Sequence, residues 1–211
     1  MRDRSENQIT LVLLRHGATK ANQEHRYLGK MEEELSEAGK RELEGYKKLQ
    51  YYPKVDFLFT SPMKRCIQTA EMLYPEISPV VIEEWKEMDF GAFEGKNYRE
   101  LQGDARYQAW IDSNGTLPFP EGESREQFIA RCKRGFHAMK EEVERIKGDG
   151  QQKTIGMMVH GGTIMALLSS YAGGDYFTYQ VKNGEGYIGT VKNFREKPEI
   201  TELKKIGQET S

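Results

Sequence analysis

The strongest structural signal in the chain is the stretch TLVLLRHGAT at residues 10–19, which TIGMMVHGGT at residues 154–163 closely repeats. Each stretch begins with an almost wholly apolar run, typical of a strand buried on both faces of a parallel sheet. Each run ends in a histidine followed by a glycine. Because the carboxyl ends of parallel strands open onto one crevice, we expect His16 and His160 to face a common site.

Strands and helices alternate outward from these two stretches. Further predicted strands cover residues 55–60, 79–85, 187–194 and 200–206. Predicted helices cover residues 36–50, 61–74, 124–147 and 163–172, with two more helical stretches between residues 97 and 113. This alternation predicts an α/β sheet with helices on both faces.

Length, composition and charge limit the class of protein. At 211 residues and 24.3 kDa the chain fits one domain, since domains span roughly 100 to 200 residues. We expect a single domain over residues 1–211. The net charge is −2 and no long run carries one sign, so neither a nucleic acid nor a membrane surface is predicted as a partner. Any anion binding must therefore be local.

Cysteine usage and hydropathy indicate where the protein works. Cys66 and Cys132 each lie in a predicted helix, and so few cysteines favour neither a disulfide framework nor a zinc site. We therefore expect a reducing, cytoplasmic location. Residues 154–174 carry no charge, but glycines and His160 interrupt them, so a strand, a turn and a buried helix are favoured over a membrane span.

Two arginines fall beside the paired histidines. Arg15 adjoins His16, and Arg65 lies in the first turn of a helix predicted to begin with the serine and proline at positions 61 and 62. A helix N-terminus presents free N–H groups, and arginine adds a planar fork for phosphate oxygens. With His160, these residues predict a phosphoryl pocket. Taken singly, either arginine is better explained by a surface salt bridge.

Other chemistries compete with this interpretation. A histidine pair can hold a metal, but the chain has no His-x3-His or Asp-x-Asp spacing, and Arg15 beside His16 would repel a cation. Serine chemistry lacks its Gly-x-Ser-x-Gly turn, and residues 169–170 lie in an apolar helix. His25 and His137 are expected to be ordinary core or surface histidines. We therefore expect no metal ion.

Four motifs in chain order carry a family resemblance. They are LRHGAT at residues 14–19, SPMKRCIQTA at residues 61–70, EMDFGAFEG at residues 87–95 and VHGG at residues 159–162. This pattern resembles the histidine phosphatase superfamily, in its phosphoglycerate mutase-like branch. The resemblance implies a three-layer α/β/α sandwich with a central, mostly parallel sheet. It also implies a phosphohistidine mechanism that needs no metal and no cofactor.

The resemblance further implies a role for each motif residue. His16 is the nucleophile, Glu87 is the proton donor, and the phosphoryl oxygens are held by Arg15, Arg65 and His160, with help from Asn22 and Gly161. Without the resemblance, Glu87 is better explained as a surface glutamate, and Glu94 can be structural. To donate a proton near neutrality, Glu87 needs a raised pKa, which its apolar flank of Trp85, Met88 and Phe90 can provide by desolvation.

Within that superfamily the chain resembles phosphatases more than mutases. Residues 91–95 read GAFEG and residues 160–163 read HGGT, where mutases carry Gly-x-Leu-Gln-Gly and His-Gly-Asn-Ser. The sequence KEMDFG at residues 86–91 and GES at residues 122–124 resemble α-ribazole phosphatases. That resemblance implies a phosphorylated small-molecule partner, either α-ribazole 5'-phosphate or adenosylcobalamin 5'-phosphate.

Three alternatives stay open at this point. They are a small-molecule or sugar phosphatase of broad specificity, a phosphoglycerate mutase, and a phosphate-binding module without turnover. A phosphate-binding module without turnover would be expected to lack the nucleophile, an arginine or the acid, and all of these are present. We expect side chains in residues 97–123 and 183–187 to set specificity. The sequence predicts no oligomeric state.

Overall fold

Strands and helices alternate through residues 9–146 and 153–207, which are the residues that this computed structural model describes. The strands are β1 (Ile9–Arg15), β2 (Phe57–Thr60), β3 (Val80–Val81), β4 (Lys153–Val159), β5 (Gly186–Lys192) and β6 (Glu199–Ile206). The α-helices are α1 (Lys20–Gln23), α2 (Glu37–Lys48), α3 (Lys64–Leu73), α4 (Ala105–Asp112), α5 (Arg125–Ile146) and α6 (Gly161–Tyr171). Short 3-10 turns cover Glu83–Trp85, Gly91–Phe93 and Tyr176–Tyr179.

The six strands form one sheet in the order β3-β2-β4-β1-β5-β6. β1, β2, β3 and β4 run parallel, while β5 runs antiparallel to β1, and β6 antiparallel to β5. The expected α/β fold with a mostly parallel sheet is therefore confirmed. In the pairing of β1 with β4, Arg15 lies opposite Val159. The two strands end level, so the next residues, His16 and His160, leave the sheet side by side.

Helices cover both faces of the sheet, which gives the three layers. Along β1, Leu11 and Leu13 belong to a core that includes Phe128 of α5, whereas Val12 and Leu14 belong to the opposite core. This alternation follows from the two-residue period of a strand. All four β1 side chains are apolar because both faces are covered. The central strand is thereby fixed in register before it reaches the site.

The predicted strand at residues 79–85 is wrong in its extent. Only Val80–Val81 pairs with β2, after which the chain turns through Glu83–Trp85. The reason is Trp85, which is fully buried and donates from its indole N–H to the carbonyl of Cys132 on α5, at 3.3 Å. Burying so large a ring draws the chain out of the sheet and under α5. The same turn leads into Glu87.

The predictions for the connecting helices also need correction. Residues 97–113 hold one α-helix, α4, because the side chain of Asn97 accepts backbone N–H groups of Arg99 and Glu100 and closes a turn instead. α3 begins at Lys64 and not at residue 61, since the hydroxyl of Ser61 accepts the N–H only two residues ahead. Arg65 nevertheless lies in the first turn, as predicted.

The uncharged segment after residue 153 forms the strand, turn and helix that its glycines predict. β4 ends at Val159 and α6 begins at Gly161, two residues earlier than the sequence indicates. Across residues 9–146 and 153–207, no helix combines the length and apolar character needed to cross a membrane. α5 extends to Ile146 as described, and the predicted helix end at Lys147 lies outside the described residues.

Candidate active site

The two strand-end histidines meet at the carboxyl edge of the sheet. The ring centroids of His16 and His160 lie 5.2 Å apart, with the rings edge to face at 69°. Both side chains are buried. The N–H of His16 donates to the carbonyl of Val159 at 3.0 Å, which ties the end of β1 to the end of β4. The structure thus brings the two histidines together, as the sequence predicts.

One ring nitrogen of His16 is occupied by its own backbone. Nδ1 lies 2.7 Å from the carbonyl oxygen of Gly17, which only accepts hydrogen bonds, so the proton of the neutral ring is on Nδ1. Nε2 then carries the lone pair. Burial, together with the charges of Arg65 and Arg15, holds the pKa of His16 well below its usual 6.5. His16 is therefore neutral at physiological pH, with Nε2 available as a nucleophile.

His160 is held from the opposite side of the ring pair. Its Nε2 lies 2.8 Å from the hydroxyl of Ser61, and the thiol of Cys66 lies 3.6 Å from the same nitrogen. His160 is also the residue at the N-cap of α6. Burial and then the charge of Arg65 lower its pKa well below 6.5. The imidazole is thus a neutral, oriented group beside His16.

Two arginines near the histidines carry positive charge and each has an N–H group without a hydrogen-bond partner in the described residues. Arg65 is fully buried and donates from Nη2 to Gly29 at 2.8 Å and from Nη1 to Met31 at 3.0 Å. Arg15 donates from Nη1 to Val181 at 2.8 Å. Within the described part of the chain, the buried Nε–H of each arginine has no partner. Buried N–H groups of this kind are costly unless an anion accepts from them.

Glu94 shapes the loop that fixes Arg65. Its Oε1 accepts the N–H of Gly29 at 2.7 Å and that of Met31 at 3.0 Å, so the carbonyls of the same two residues are turned toward the guanidinium. Glu94 therefore acts through Arg65 and has the structural role that the sequence left open. The motif around residue 91 thus contributes two carboxylates with different tasks.

The carboxyl group of Glu87 lies near the charges of Arg65 and Arg15. Its Oε1 accepts the N–H of Met88 at 3.0 Å and lies close to the first turn of α6, where a β-carbon on Gly162 would be only 2.5 Å away. Burial raises the pKa of Glu87 against the opposing effects of that N–H, Arg65 and Arg15. A carboxyl with a raised pKa beside two cations can act as a proton donor near neutrality.

The remaining two predicted residues line the edge of the pocket. Oδ1 of Asn22 accepts the N–H of Thr19 at 3.2 Å and the side-chain amide of Asn183 at 3.1 Å. Gly161 lies against the guanidinium of Arg15, since a β-carbon there would be 3.5 Å from its Nε. The backbone of Gly161 begins α6, so its N–H is one of the unpaired groups of a helix N-terminus.

A cleft of about 720 Å³ shares Arg15 and Asn22 with this group of residues. It is lined by Arg15, Asn22, His25, Arg26, Tyr27, Gln180, Val181, Lys182 and Asn183. His25 thus lines a cleft, whereas the sequence suggested an ordinary histidine. Of the segments expected to set specificity, residues 183–187 contribute Asn183, while Trp110 and Phe119 pack behind Tyr27.

Seven residues predicted from sequence lie around one pocket: Arg15, His16, Asn22, Arg65, Glu87, His160 and Gly161. The sequence indicates Asn183 only as a specificity residue and not as a support for His16. Its amide donates to the carbonyl of His16 at 3.1 Å and reaches across from a loop more than 160 positions away. No local motif marks it. Among residues 9–146 and 153–207, no group of three His, Cys, Asp or Glu side chains is placed to hold a metal ion.

Comparison with known proteins agrees with this geometry. The model of the histidine phosphatase superfamily, branch 1, matches residues 11–200. A curated relative named "Putative phosphoserine phosphatase 2", from Hydrogenobacter thermophilus, is 29% identical over 170 residues, covering 77% of this chain and 78% of its own. A 2,3-bisphosphoglycerate-dependent phosphoglycerate mutase of Tropheryma whipplei is 35% identical over 122 residues, covering 52% of this chain and 54% of its own.

A solved structure agrees with the fold over nearly the whole chain. The crystal structure of the α-ribazole phosphatase from Shigella flexneri aligns with a TM-score of 0.74 at 24% identity, covering 95% of this chain and 99% of that one. At this identity the likeness concerns the fold. It confirms the phosphoglycerate mutase-like architecture that the sequence motifs imply.

Proposed function

Because the chain belongs to branch 1 of the histidine phosphatase superfamily and is a phosphatase, we propose that it cleaves phosphomonoesters through a phosphohistidine on His16, without a metal ion or other cofactor. The observation that carries the proposal is the pairing of a neutral His16 ring with Arg15 and Arg65, whose buried Nε–H groups have no partner in the described residues. The arginine charges supply the electrostatic stabilisation that a metal ion otherwise provides.

In the first step Nε2 of His16 attacks phosphorus in line, and the bond from phosphorus to the leaving oxygen breaks. Arg15, Arg65 and His160 hold the equatorial oxygens, where negative charge is spread in the transition state. Asn22 lines the edge of this pocket, and the N–H of Gly161 contributes the positive end of α6.

Glu87 gives its proton to the leaving alkoxide in the same step. In the second step the Glu87 carboxylate takes a proton from water as the water oxygen bonds to phosphorus. The bond between phosphorus and Nε2 then breaks, which releases phosphate and restores the neutral imidazole. The raised pKa of Glu87 suits both directions of this transfer.

For the substrate we propose α-ribazole 5'-phosphate or the related adenosylcobalamin 5'-phosphate. The motifs at residues 86–91 and 122–124 support this class, and a cleft of about 720 Å³ has room for a leaving group of nucleoside size. The alternative is a smaller alcohol or a broad range of phosphorylated metabolites, for which the relative named as a phosphoserine phosphatase is the specific reason. We further propose one catalytic domain over residues 1–211.

We also propose a reducing, cytoplasmic setting, because both cysteines are buried as free thiols. Cys66 in particular lies against the imidazole of His160, where an oxidised sulfur would disturb the pocket. A thiol in this place is best preserved where reductants keep it reduced.

The test is a turnover screen against phosphorylated metabolites, including α-ribazole 5'-phosphate and phosphoserine, in the presence of a strong chelator. We expect turnover to survive chelation and to be blocked by vanadate, whose oxygens imitate five-coordinate phosphorus. Rapid acid-free quenching should trap a phosphohistidine that is absent from His16→Ala. Loss of activity with chelator and recovery with one divalent metal would refute the metal-free proposal. Substantial activity in His16→Ala would refute the nucleophile.

A further inference from the structure

The segment that carries Glu87 has no regular secondary structure of its own. After the 3-10 turn Glu83–Trp85, residues 86–90 are neither helix nor strand. A general acid must nevertheless be held within a fraction of an ångström of its working position. The backbone of this segment therefore needs fixing from outside.

The guanidinium of Arg131, on α5, holds this backbone in place. Arg131 donates from Nη1 to the carbonyl of Glu84 at 2.7 Å and to that of Lys86 at 2.8 Å. From Nη2 it donates to the carbonyl of Glu87 itself, at 3.3 Å. Two carbonyls of the segment that carries Glu87, and one of the 3-10 turn before it, thus converge on one side chain, which does not belong to the groups that face the phosphoryl pocket.

Glu123 uses the rest of the guanidinium. Its Oε1 accepts from Nε of Arg131 at 3.0 Å and its Oε2 from Nη2 at 2.7 Å, a two-pronged pair that is largely buried. All five N–H groups of Arg131 are therefore engaged. The N–H of Glu123 also donates to the carbonyl of Asp89 at 2.9 Å. Arg131 and Glu123 therefore bind the backbone both before Glu87, at Lys86, and after it, at Asp89.

The position of Arg131 follows from the sequence motif at residues 122–124. The hydroxyl of Ser124 accepts the N–H of Gln127, and the side chain of Gln127 accepts the N–H of Ser124, which sets the start of α5. Arg131 then falls two turns along the helix, on the side that faces Glu123. A motif that the phosphoryl pocket does not use therefore has a structural purpose.

We propose that Arg131 and Glu123 are positioning residues that hold the backbone of Glu87 so that its carboxyl reaches the leaving-group oxygen. This inference rests on the proposed function, because it needs Glu87 as the acid. The hydrogen bonds of Arg131 go to Glu84, to the segment of Glu87 and to Glu123, so its removal should disturb the acid step first. His16, Arg15 and Arg65 are fixed by other elements.

The experiment measures single-turnover phosphorylation of His16 with two substrates. One is the alkyl phosphate with the highest turnover in the screen, and the other is p-nitrophenyl phosphate, whose leaving group departs without a proton. In Arg131→Met we expect the alkyl rate to fall by about tenfold to a hundredfold and the aryl rate by less than about threefold. Arg134→Met, at an exposed arginine of the same helix, is the matched control and should leave both rates unchanged.

A double variant locates the effect. Adding Arg131→Met to Glu87→Gln should slow the alkyl reaction by less than about threefold more, because the group being positioned is already disabled. Glu123→Gln, which keeps the shape of the partner, should show the same substrate contrast in milder form. It also serves if Arg131→Met does not fold.

Two results would overturn the inference. One is a folded Arg131→Met or Glu123→Gln variant whose alkyl rate falls no more than its aryl rate, whether both rates fall or neither does, and the other is the full loss of the single variant in the Glu87→Gln background. Failure of the proposed function looks different. The parent protein would then turn over no phosphoester, or Glu87→Gln alone would keep the parent alkyl rate, and the positioning role would fall with it.

Discussion

Gly162→Ala is a steric test of whether the carboxyl of Glu87 works where the structure places it. Gly162 lies in the first turn of α6, with its backbone in ordinary helical conformation. A β-carbon there would be 2.5 Å from Oε1 of Glu87 and 3.1 Å from the ring of Phe128. The substitution adds one methyl group and removes no charge and no hydrogen-bonding group.

The size of the effect follows from these distances. Carbon atoms rarely approach an oxygen closer than 3.0 Å, so the carboxylate must move by at least the difference from 2.5 Å, about 0.5 Å. Since a misplacement of about 1 Å can cost about a hundredfold in rate, we expect about a tenfold loss. Stability should change by less than about 1 kcal/mol, because alanine favours the helix while Phe128 is crowded.

The assay compares phosphorylation of His16 by an alkyl phosphate and by p-nitrophenyl phosphate, alongside urea unfolding. The alkyl rate should fall about tenfold and the aryl rate should change little. Gly45→Ala is the matched control, a glycine in the middle of α2 where a β-carbon would meet nothing within 4 Å. It should raise the free energy of unfolding by about 0.4 to 1 kcal/mol and leave both rates alone.

Either of two outcomes would refute the reasoning. A parent-like alkyl rate in Gly162→Ala would mean that the position of the Glu87 carboxyl does not matter to the reaction. An equal fall for both substrates would mean that the methyl group disturbs the start of α6, and with it His160, and leaves the acid step untouched.

Two further predictions concern charge. Glu87→Gln should slow phosphorylation by an alkyl phosphate by about 10² to 10⁴ while affecting an aryl phosphate far less, and equal losses in single-turnover rates would assign the acid role elsewhere. Because the pKa values of His16 and His160 are depressed chiefly by burial, the unfolded chain binds protons below about pH 6.5 that the folded chain does not. As the pH decreases below about 6.5, each of the two histidines should therefore lower the free energy of unfolding by up to about 1.4 kcal/mol per pH unit, while the raised pKa of Glu87 contributes in the opposite direction. Urea unfolding in phosphate-free buffer should show a shallower dependence for His160→Gln, and an unchanged slope would contradict this.

The features that sequence predicts best are those that one short stretch determines alone. An apolar run followed by His16 or His160 places each ring at a strand end, and the parallel sheet then brings the two strand ends together. Sequence predicts Arg65 correctly in the first turn of α3, because the helical pattern after it is strong. It predicts the wrong N-cap residue, since Met63 and not Ser61 precedes the helix. The start of α3 shifted because the hydroxyl of Ser61 accepts the N–H of Met63, only two residues ahead.

The features that sequence misses depend on long-range contacts. Nothing near Asn183 marks it as a support for the carbonyl of His16, and nothing near Arg131 marks it as a partner of Glu84 and Lys86. Both contacts form only after the chain has folded, and each joins ordinary polar residues whose spacing follows no helical or strand period. The short extent of β3 has the same cause, since Trp85 leaves the sheet to reach α5.

The strand order has a consequence for the time at which the protein can become active. β1 pairs with β4 and β5 and not with β2, so the first strand has no sheet neighbour until Val159 has been synthesised. At about 5 to 20 residues per second, the ribosome needs on the order of ten seconds to travel from Arg15 to that point. During this interval the nucleophile belongs to an unpaired apolar segment. The emerging chain must keep that segment from associating with other chains before its own sheet can close around it.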